Sequence, residues 1–429
     1  MNEESFYRNK ERIKRTLHFA LNNPFCGFYR FKYKDIGFDP TEIKSYSDFQ
    51  QIPHLSKNEL LALKPMNMLF VDEKDVKRIH YTAGTTDRKN PLIVPKSNQK
   101  PVSYDFELAK ELGVRTILYL NSAVGPVMTN ALSFPVEGLI TIPGDVTKLE
   151  ITAHLATEVG IEGIRTTPTL LYEFSSYLDG AGFDKGSLKW ILLSAEFCTA
   201  QRLEYFQKQF PKAHILFRYG STEIGTRGYR CGVLSTKEPW LFHPPGNAFI
   251  EVEGNASVDR FQGAGEIIHT DLSVPKAFPF IRYKSGDIAF IKEERCQCGS
   301  DQVLGVAGRK GSDFFSKAGY AVQTQNIADC LEEVKEYIEL PFQLHIRKNE
   351  LNDKEVLELA LMITLKDGAG PDILERAKTC VSENLELQPG KNIKSLINEG
   401  RVLPLKVKAV RRWPENRTKS INIVFSEQR

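Results

Sequence analysis

No stretch of the chain comes near the ~20 consecutive apolar residues that a membrane-spanning helix needs, so no membrane partner is expected. The opening run from Met1 to Arg15 is dense in charge and has no apolar core, so a secretory leader is not expected either. Cysteine is scarce: seven in 429 residues, an odd count that excludes a disulfide scaffold and points to reduced thiols or a metal site. An excess of one charge sign is also missing. Lys and Arg number 57 against 54 Asp and Glu, a formal net charge of +3, which argues against a dedicated nucleic-acid binder. Internal repeats and low-complexity tracts are absent. What remains is an ordinary globular composition, 41% hydrophobic and 26% charged. At about 100–200 residues per domain, the length suits two to four domains, or one large and one small. The expectation is a soluble, cytoplasmic enzyme.

Residues 1–75 read as helices and loops: Glu11 to Leu21 is amphipathic, and Ser56-Lys-Asn-Glu has capping-box spacing. From Arg78 to Gly305 short apolar runs (Thr116–Leu120, Gly138–Ile142, Gly163–Thr167, Trp190–Leu193, Ile215–Phe217) alternate with helix-like stretches (Lys148–Val159, Thr169–Leu178, Thr199–Phe210). That alternation predicts a doubly wound α/β sheet. After Tyr219 strands and turns take over, at 265–270 and 286–291. Beyond Gly308, helices are expected over Gln325–Val334 and Pro371–Leu385, and strands over Phe342–Arg347, Glu358–Leu365 and Val407–Trp413. The expected architecture is α/β. A large domain of doubly wound sheets plus a β-rich subdomain covers 76–308, with the helical segment 1–75 packed on it. A polar, Gly-rich hinge at 309–313 leads to a small mobile α+β domain over 314–429.

The sharpest segment is Ile79-His-Tyr-Thr-Ala-Gly-Thr-Thr-Asp-Arg-Lys-Asn-Pro. The hydroxyls of Thr82, Thr85 and Thr86 and the backbone N–H groups can donate to phosphate oxygens. Gly84 lets the backbone approach, and Lys89 adds charge. The segment lacks the G-x-x-x-x-G-K-[ST] form, which argues against that NTPase fold. Read alone, it is more often a polar turn between two strands. In Arg218-Tyr-Gly-Ser-Thr-Glu-Ile-Gly, Tyr219 offers an aromatic face for a purine, Gly220 and Ser221 are small enough to crowd its edge, and Glu223 can hold Mg²⁺. In Arg282-Tyr-Lys-Ser-Gly-Asp-Ile-Ala, Asp287 can accept from both hydroxyls of a ribose. Each of these two, taken alone, reads as a glycine turn with a solvated acid.

Together, and in this order, the segments resemble the adenylate-forming (acyl-activating) ligases, most closely their phenylacetate–CoA ligase branch. Tyr81-Thr-Ala-Gly-Thr-Thr is similar to the family's phosphate loop, and Ser194-Ala195-Glu196 to its adenine-flanking motif. Tyr219-Gly-Ser-Thr-Glu is similar to its aromatic-Gly-x-Thr-Glu motif, Tyr283-Lys-Ser-Gly-Asp to its Tyr-x-Thr-Gly-Asp motif, and Gly308-Arg309 to its hinge. Trp413-Pro-Glu-Asn-Arg-Thr-Lys aligns Lys419 with its C-terminal catalytic lysine. Asn23-Pro-Phe-Cys and Ile52-Pro-His-Leu-Ser-Lys resemble the branch's opening helices, so the likeness covers nearly the whole chain. The resemblance implies two half-reactions: a carboxylate attacks Mg·ATP to give acyl-AMP, and the small domain then turns to present a thiol, most simply that of coenzyme A. It also implies roles for residues. Lys419 bridges carboxylate and α-phosphate, with Thr222 and Glu223 as further catalytic residues. Arg309 contacts ribose or phosphate, and Lys57 reaches the phosphates. Three departures stand out. Asp87 occupies a usual glycine of the loop. Lys310-Gly-Ser-Asp holds one extra residue, so the pivot is Gly311 or Asp313. Lys317-Ala-Gly-Tyr replaces Arg-Gly-x-x. With the pivot at Gly311, a proline there is expected to spare adenylation and stall transfer.

Cys296-Gln-Cys298, with Cys231 and His243 upstream, supplies zinc-type ligands. The spacing alone leaves scattered reduced thiols as an equal reading. Some members of the branch carry Cys…His…Cys-x-Cys at matching places, which implies a structural zinc. Cys26, Cys198, Cys330 and Cys380 read as buried small hydrophobes, and His80, His214 and His269 as core or surface histidines. The acyl pocket is expected along Tyr119–Thr129, Thr166-Thr-Pro-Thr and Ala195, reshaped because no aromatic follows Tyr119 in that stretch. Three readings are carried forward. One is a ligase joining a small carboxylic acid to CoA. The second is an adenylating enzyme passing the acyl group to an amine or a carrier-protein thiol. The third is a catalytically silent nucleotide binder. A homodimer is left open.

Overall fold

A computed structural model describes residues 2–82, 91–97, 104–121, 136–231, 233–234, 238–254, 261–317, 319–351, 354–410 and 422–427. The opening segment is helical, with helices Asn2–Leu21, Phe28–Lys32, Tyr46–Gln50 and Lys57–Leu61. The first begins nine residues before the amphipathic pattern is obvious, because Glu3 and Glu4 suit a helix N-terminus. Ser45 and Ser56 each close a full capping box, the second at the spacing read from sequence. The buried face, Phe6, Ile13, Leu17 and Ala20, recurs at helical spacing and packs with Tyr29, Phe49 and Phe70 on Phe249, Phe278, Phe280 and Tyr283 further along the chain.

A hairpin of β1 (Val76–Tyr81) and β2 (Ile93–Ser97) follows. Then come β3 (Thr116–Tyr119), β4 (Ile140–Pro143), β5 (Gly163–Thr166), β6 (Trp190–Ser194), β7 (His214–Ser221) and β8 (Gly225–Gly228). They form one six-stranded sheet in the order β4-β3-β5-β6-β7-β8, parallel except for β8. The strands are short apolar runs covered on both faces, and every residue of β5 and β6 is buried. Helices Leu149–Val159, Pro168–Gly180 and Ala200–Gln209 cover one face through Leu118, Ile164, Ile191 and Leu193. Helix Tyr104–Glu111 covers the other, where Phe106 meets Ile117, Tyr119, Trp190 and Leu192. This is the doubly wound sheet expected from the alternation of short runs and helices.

Next come β9 (Leu241–Phe242), β10 (Ala248–Glu253), β11 (Gly265–Asp271), β12 (Tyr283–Glu293) and β13 (Gln302–Arg309). They make an antiparallel sheet ordered β10-β11-β12-β13-β9. It shares the first core through Ile250, Ile267, Ile291 and Leu304. The C-terminal part begins with the hairpin β14 (Phe314–Lys317) and β15 (Tyr320–Gln323). Its main sheet is built from β16 (Ile338–Leu351), β17 (Lys354–Leu365), β20 (Lys406–Ala409) and β21 (Ile423–Glu427), with a small β18 (Glu386–Gln388) and β19 (Lys391–Asn392) ladder beside it. Helices Thr324–Cys330, Asp372–Asn384 and Ile393–Asn398 pack on it around a core of its own, including Leu359, Leu361, Ala377, Val381 and Leu396. Truncating one such buried leucine to alanine costs about 2–5 kcal/mol.

Three readings differ from the sequence. The helix expected over Gln325–Val334 stops at Cys330 and continues as a 3₁₀ turn, Glu332–Val334. The strand expected over Val407–Trp413 is Lys406–Ala409, and residues 411–413 lie outside the described ones. The polar hinge is less free than its composition implies. Gly308 and Arg309 end β13, and Asp313 is buried.

Candidate functional site

Open α/β sheets bind ligands outside the carboxyl ends of their parallel strands, near the point where strand order reverses. Here that point lies between β3 and β5, and Ser194, Ala195, Glu196 and Tyr219 to Glu223 lie at the same ends of β6 and β7. Ala195 has φ 78°, a left-handed backbone uncommon for a residue with a Cβ, and such strain clusters at functional sites. The Glu196 side chain is engaged. It takes the N–H and, at 2.9 Å, the hydroxyl of Thr169 at the start of helix Pro168–Gly180, with Arg202 at 3.8 Å.

Strand β7 turns back through Thr222, Glu223 and Ile224 into β8. The turn is tight enough that a Cβ on Gly220 would lie 2.6 Å from the Gly225 carbonyl, so only glycine fits. The turn buries Glu223, which is 3% exposed. Burial opposes its charge, but Arg309 and Arg227 outweigh that and hold the carboxyl below its usual range. Tyr283 donates to Glu223 Oε1 at 3.4 Å, and fully buried Arg227 donates to Ser221 Oγ at 3.1 Å. Asp287 on β12 pairs in register with Arg309 on β13 and accepts the Tyr219 hydroxyl at 2.6 Å. Arg309 is strengthened as a cation by Asp287, against burial, and then by Glu223. The motifs that sequence separates by dozens of residues are thus brought together as one cluster of Tyr219, Glu223, Tyr283, Asp287 and Arg309.

The phosphate-loop candidates Gly84, Thr85, Thr86 and Lys89 and the lysine candidate Lys419 lie outside the described residues, as does the 122–129 part of the expected acyl pocket. Thr82 is described. Its N–H donates to the Leu92 carbonyl and its hydroxyl accepts from the Leu92 N–H, both at 2.9 Å, closing the base of that loop. Lys57 follows Leu55, whose N–H and carbonyl bond to Arg282 and Lys284 on either side of Tyr283, so the helical segment is pinned to the Tyr283 motif. One neighbour was missed by sequence reading. Lys96 on β2 donates to the Glu223 carbonyl, and burial, helped by Lys276, lowers its ammonium to about 7. Its only signal was a lysine inside the otherwise apolar Ile93-Val-Pro-Lys-Ser run.

The second cluster is Cys231, His243, Cys296 and Cys298, whose ligand atoms all lie within 4.8 Å of one another. Cys231 Sγ is 3.2 Å from His243 Nε2 and 3.7 Å from Cys296 Sγ, and Cys298 Sγ is 3.4 Å from His243 Nε2. Zn–S bonds of about 2.3 Å and Zn–N bonds of about 2.0–2.1 Å in a tetrahedron give edges near 3.5–3.8 Å, which these spacings approach. His243 Nδ1 is 2.8 Å from the Gln302 carbonyl, so Nδ1–H donates there and Nε2 turns its lone pair to the thiols. All seven cysteines are free, and Cys26, Cys198, Cys330 and Cys380 are buried, as read from sequence. His80 and His269 are buried core histidines.

No family model matches the chain. It is 24% identical over 387 residues to a phenylacetate–coenzyme A ligase of Thermus thermophilus, covering 85% of this chain and 83% of that enzyme. Among solved structures it is similar to 2-hydroxyisobutyryl-CoA ligase in the postadenylation state with 2-HIB-AMP, at TM-score 0.71 and 17% identity over 98% of this chain and 90% of the other. Against the same ligase in the thioesterification state, with equal identity and coverage, the TM-score is 0.53. Among the described residues no helix is long and apolar enough to cross a membrane.

Proposed function

We propose that this chain, a member of the adenylate-forming ligases on the phenylacetate–CoA ligase branch, activates a carboxylic acid with ATP and passes the acyl group to the thiol of coenzyme A. The observation that carries the reading is the convergence of Tyr219, Glu223, Asp287 and Arg309 at the carboxyl ends of β6 and β7. In the first half-reaction a carboxylate oxygen attacks the α-phosphorus, the bond to pyrophosphate breaks, and acyl-AMP forms. In the second, the thiol sulfur attacks the acyl carbon, AMP leaves, and the thiol proton goes to solvent. The chain supplies positioning and charge. Asp287 takes the ribose hydroxyls, Arg309 balances phosphate charge, and Lys419 bridges carboxylate and α-phosphate. Glu223 suits a divalent ion, since it is a buried carboxylate kept ionised; such an ion, when bound with ATP, neutralises phosphate charge.

We infer the pivot of the small unit from the backbone of this turn. Lys310 N–H donates to Gly286 of the β-rich sheet at 3.0 Å. Ser312 and Asp313 are tied to both sides: their N–H groups donate to the Arg309 carbonyl at 3.1 and 2.9 Å, while the Ser312 carbonyl accepts from Asn422 and Ile423 N–H and Asp313 Oδ1 accepts from Asn422 Nδ2 at 3.1 Å. Gly311 donates within the turn, to the Phe314 carbonyl, and has φ 81° with no atom near its would-be Cβ. We take Gly311, not Asp313, as the pivot. The better superposition on the postadenylation state supports reading this arrangement as the adenylating one. A proline at Gly311 cannot reach φ 81°, so the expectation that it spares adenylation is reversed.

Zinc at Cys231, His243, Cys296 and Cys298 is structural in this reading, because four protein ligands leave no open position. We place the enzyme in the cytoplasm, where ATP and CoA are at hand and thiols stay reduced. The test is carboxylate-dependent ATP–pyrophosphate exchange across an acid panel, followed by thioester detection with CoA. Exchange without any thioester would favour an amine or carrier-protein acceptor. Absence of exchange with every acid would overturn the ligase reading.

A further inference from the structure

We propose that Gln201 and Gln325 are positioning residues: they latch the small unit in the adenylating arrangement and part before acyl transfer. The inference rests on the ligase reading above and concerns what separates its two half-reactions. Helix Ala200–Gln209 packs on the parallel sheet, and the first N–H groups of a helix have no partner within it. Thr199 caps one of them, its hydroxyl accepting from Arg202 N–H at 3.2 Å. The Ala200 N–H is satisfied from the small unit instead, by Gln325 Oε1 at 2.8 Å. Gln325 sits in the first turn of helix Thr324–Cys330 and is fully buried. Its Nε2 donates to Gln201 Oε1 at 2.9 Å and to Asp329 Oδ1 at 2.8 Å. Gln201 Nε2 in turn donates to Asp329 Oδ1 and Glu332 Oε2, both at 3.2 Å. Gln323, also fully buried, caps the same helix by accepting the Gln325 N–H, and its Nε2 donates to the Ala307 carbonyl of β13 at 2.7 Å.

Ala200, Gln201 and Ala307 precede Gly311 in the chain, and Gln323, Gln325, Asp329 and Glu332 follow it. A turn of the small unit about Gly311 therefore breaks the bonds between the two groups. It uncovers the Ala200 N–H and both buried amides at once. Neutral amides suit a contact that must hold and still open, because water replaces each broken bond and the net cost of each is modest. A buried ion pair in the same place would leave costly unpaired charges if water were slow to enter. The latch is closed here, in the arrangement that superposes better on the postadenylation state than on the thioesterification state. The unit it holds carries Lys419, so the two glutamines act through that lysine and touch no substrate.

Two rates, each measured alone, test this: ATP–pyrophosphate exchange with the best acid, and transfer of the same acyl group from chemically made acyl-AMP to CoA. Weakening the latch shifts the balance of the two arrangements. The ratio of transfer to exchange should therefore rise about ten-fold in Gln325→Ala, the scale of one or two lost hydrogen bonds. Gln201→Ala should raise the ratio from the other side of the contact. The double variant should add little to the stronger single one, because both substitutions remove one shared contact. Rates that fall in step, or a ratio untouched in both single variants, overturn the proposal and leave the ligase reading intact. Deuterium exchange at the Ala200 amide needs no acid, so it still decides if no acid supports ATP–pyrophosphate exchange and the ligase reading falls. Faster exchange in Gln325→Ala, with the amides of helix Pro168–Gly180 protected as in wild type, keeps the latch, and equal protection at Ala200 overturns it.

Discussion

Tyr219 donates its hydroxyl to Asp287 across 2.6 Å, joining the end of the parallel sheet to the β-rich sheet at the point where a ribose is proposed to sit. The bond holds a buried carboxylate in place before any nucleotide arrives. Burial, then Asp287, raises the tyrosine far above its usual titration range, so it stays a donor at any working pH. Asp287→Ala should weaken ATP binding by about 1–3 kcal/mol, the range for a lost charge-assisted hydrogen bond. Isothermal titration checks it, and unchanged affinity would remove the ribose assignment.

The cysteine cluster predicts about one zinc per chain in protein purified without chelator. Cys298→Ser should lower metal content and melting temperature together, because the bound metal contributes to folding. A metal-free protein of full stability would remove the site.

At the hinge, Gly311→Pro should slow ATP–pyrophosphate exchange, since it excludes the φ of 81° found here and also removes the N–H that donates to Phe314 at 2.8 Å. Exchange at the wild-type rate would place the pivot elsewhere.

Lys419→Ala should lower exchange by about 10²–10³-fold, the loss seen when a charge-stabilising group is removed. The same variant should still transfer acyl groups from chemically made acyl-AMP to CoA. Equal loss of both steps would make the lysine structural.

Burial raises the Asp313 carboxyl to about 6, against hydrogen bonds from Arg309, Ser312 and Asn422 that favour its charge. The folded state therefore binds this proton more tightly than the unfolded chain does. Between about pH 4 and 6 this group's contribution to stability falls as pH rises. Melting temperatures of wild type and Asp313→Asn should draw apart in that direction across the window, and parallel curves would refute it.

The parallel strands were legible because a strand buried on both faces is a short apolar run bounded by turns, as Trp190–Ser194 is. Hairpin β14–β15 and strand β21 were not foreseen, since their runs are brief and Asn422 at the entry to β21 is set by bonds to residues 312 and 313. Residues of motifs were found by type and order. The candidate metal ligands were legible as chemistry but not as geometry, because Cys231 and His243 meet the Cys296 turn only once the antiparallel sheet forms. Lys96 belongs to no motif, and only the folded chain reveals that it meets Glu223.

Arg282 has a further consequence. Its guanidinium donates to the Gln50 and Ile52 carbonyls, 232 and 230 residues earlier, and its neighbour Tyr283 closes the aromatic seam of Phe6, Tyr29, Phe49 and Phe70. A ribosome makes that helical segment long before Arg282 exists. The seam stays open through most of synthesis, and contacts so distant in sequence form late. The nascent N-terminus therefore exposes adhesive aromatic surface for much of its time on the ribosome. Tyr283 belongs both to that seam and to the cluster around Glu223, so neither is complete until β12 has been made.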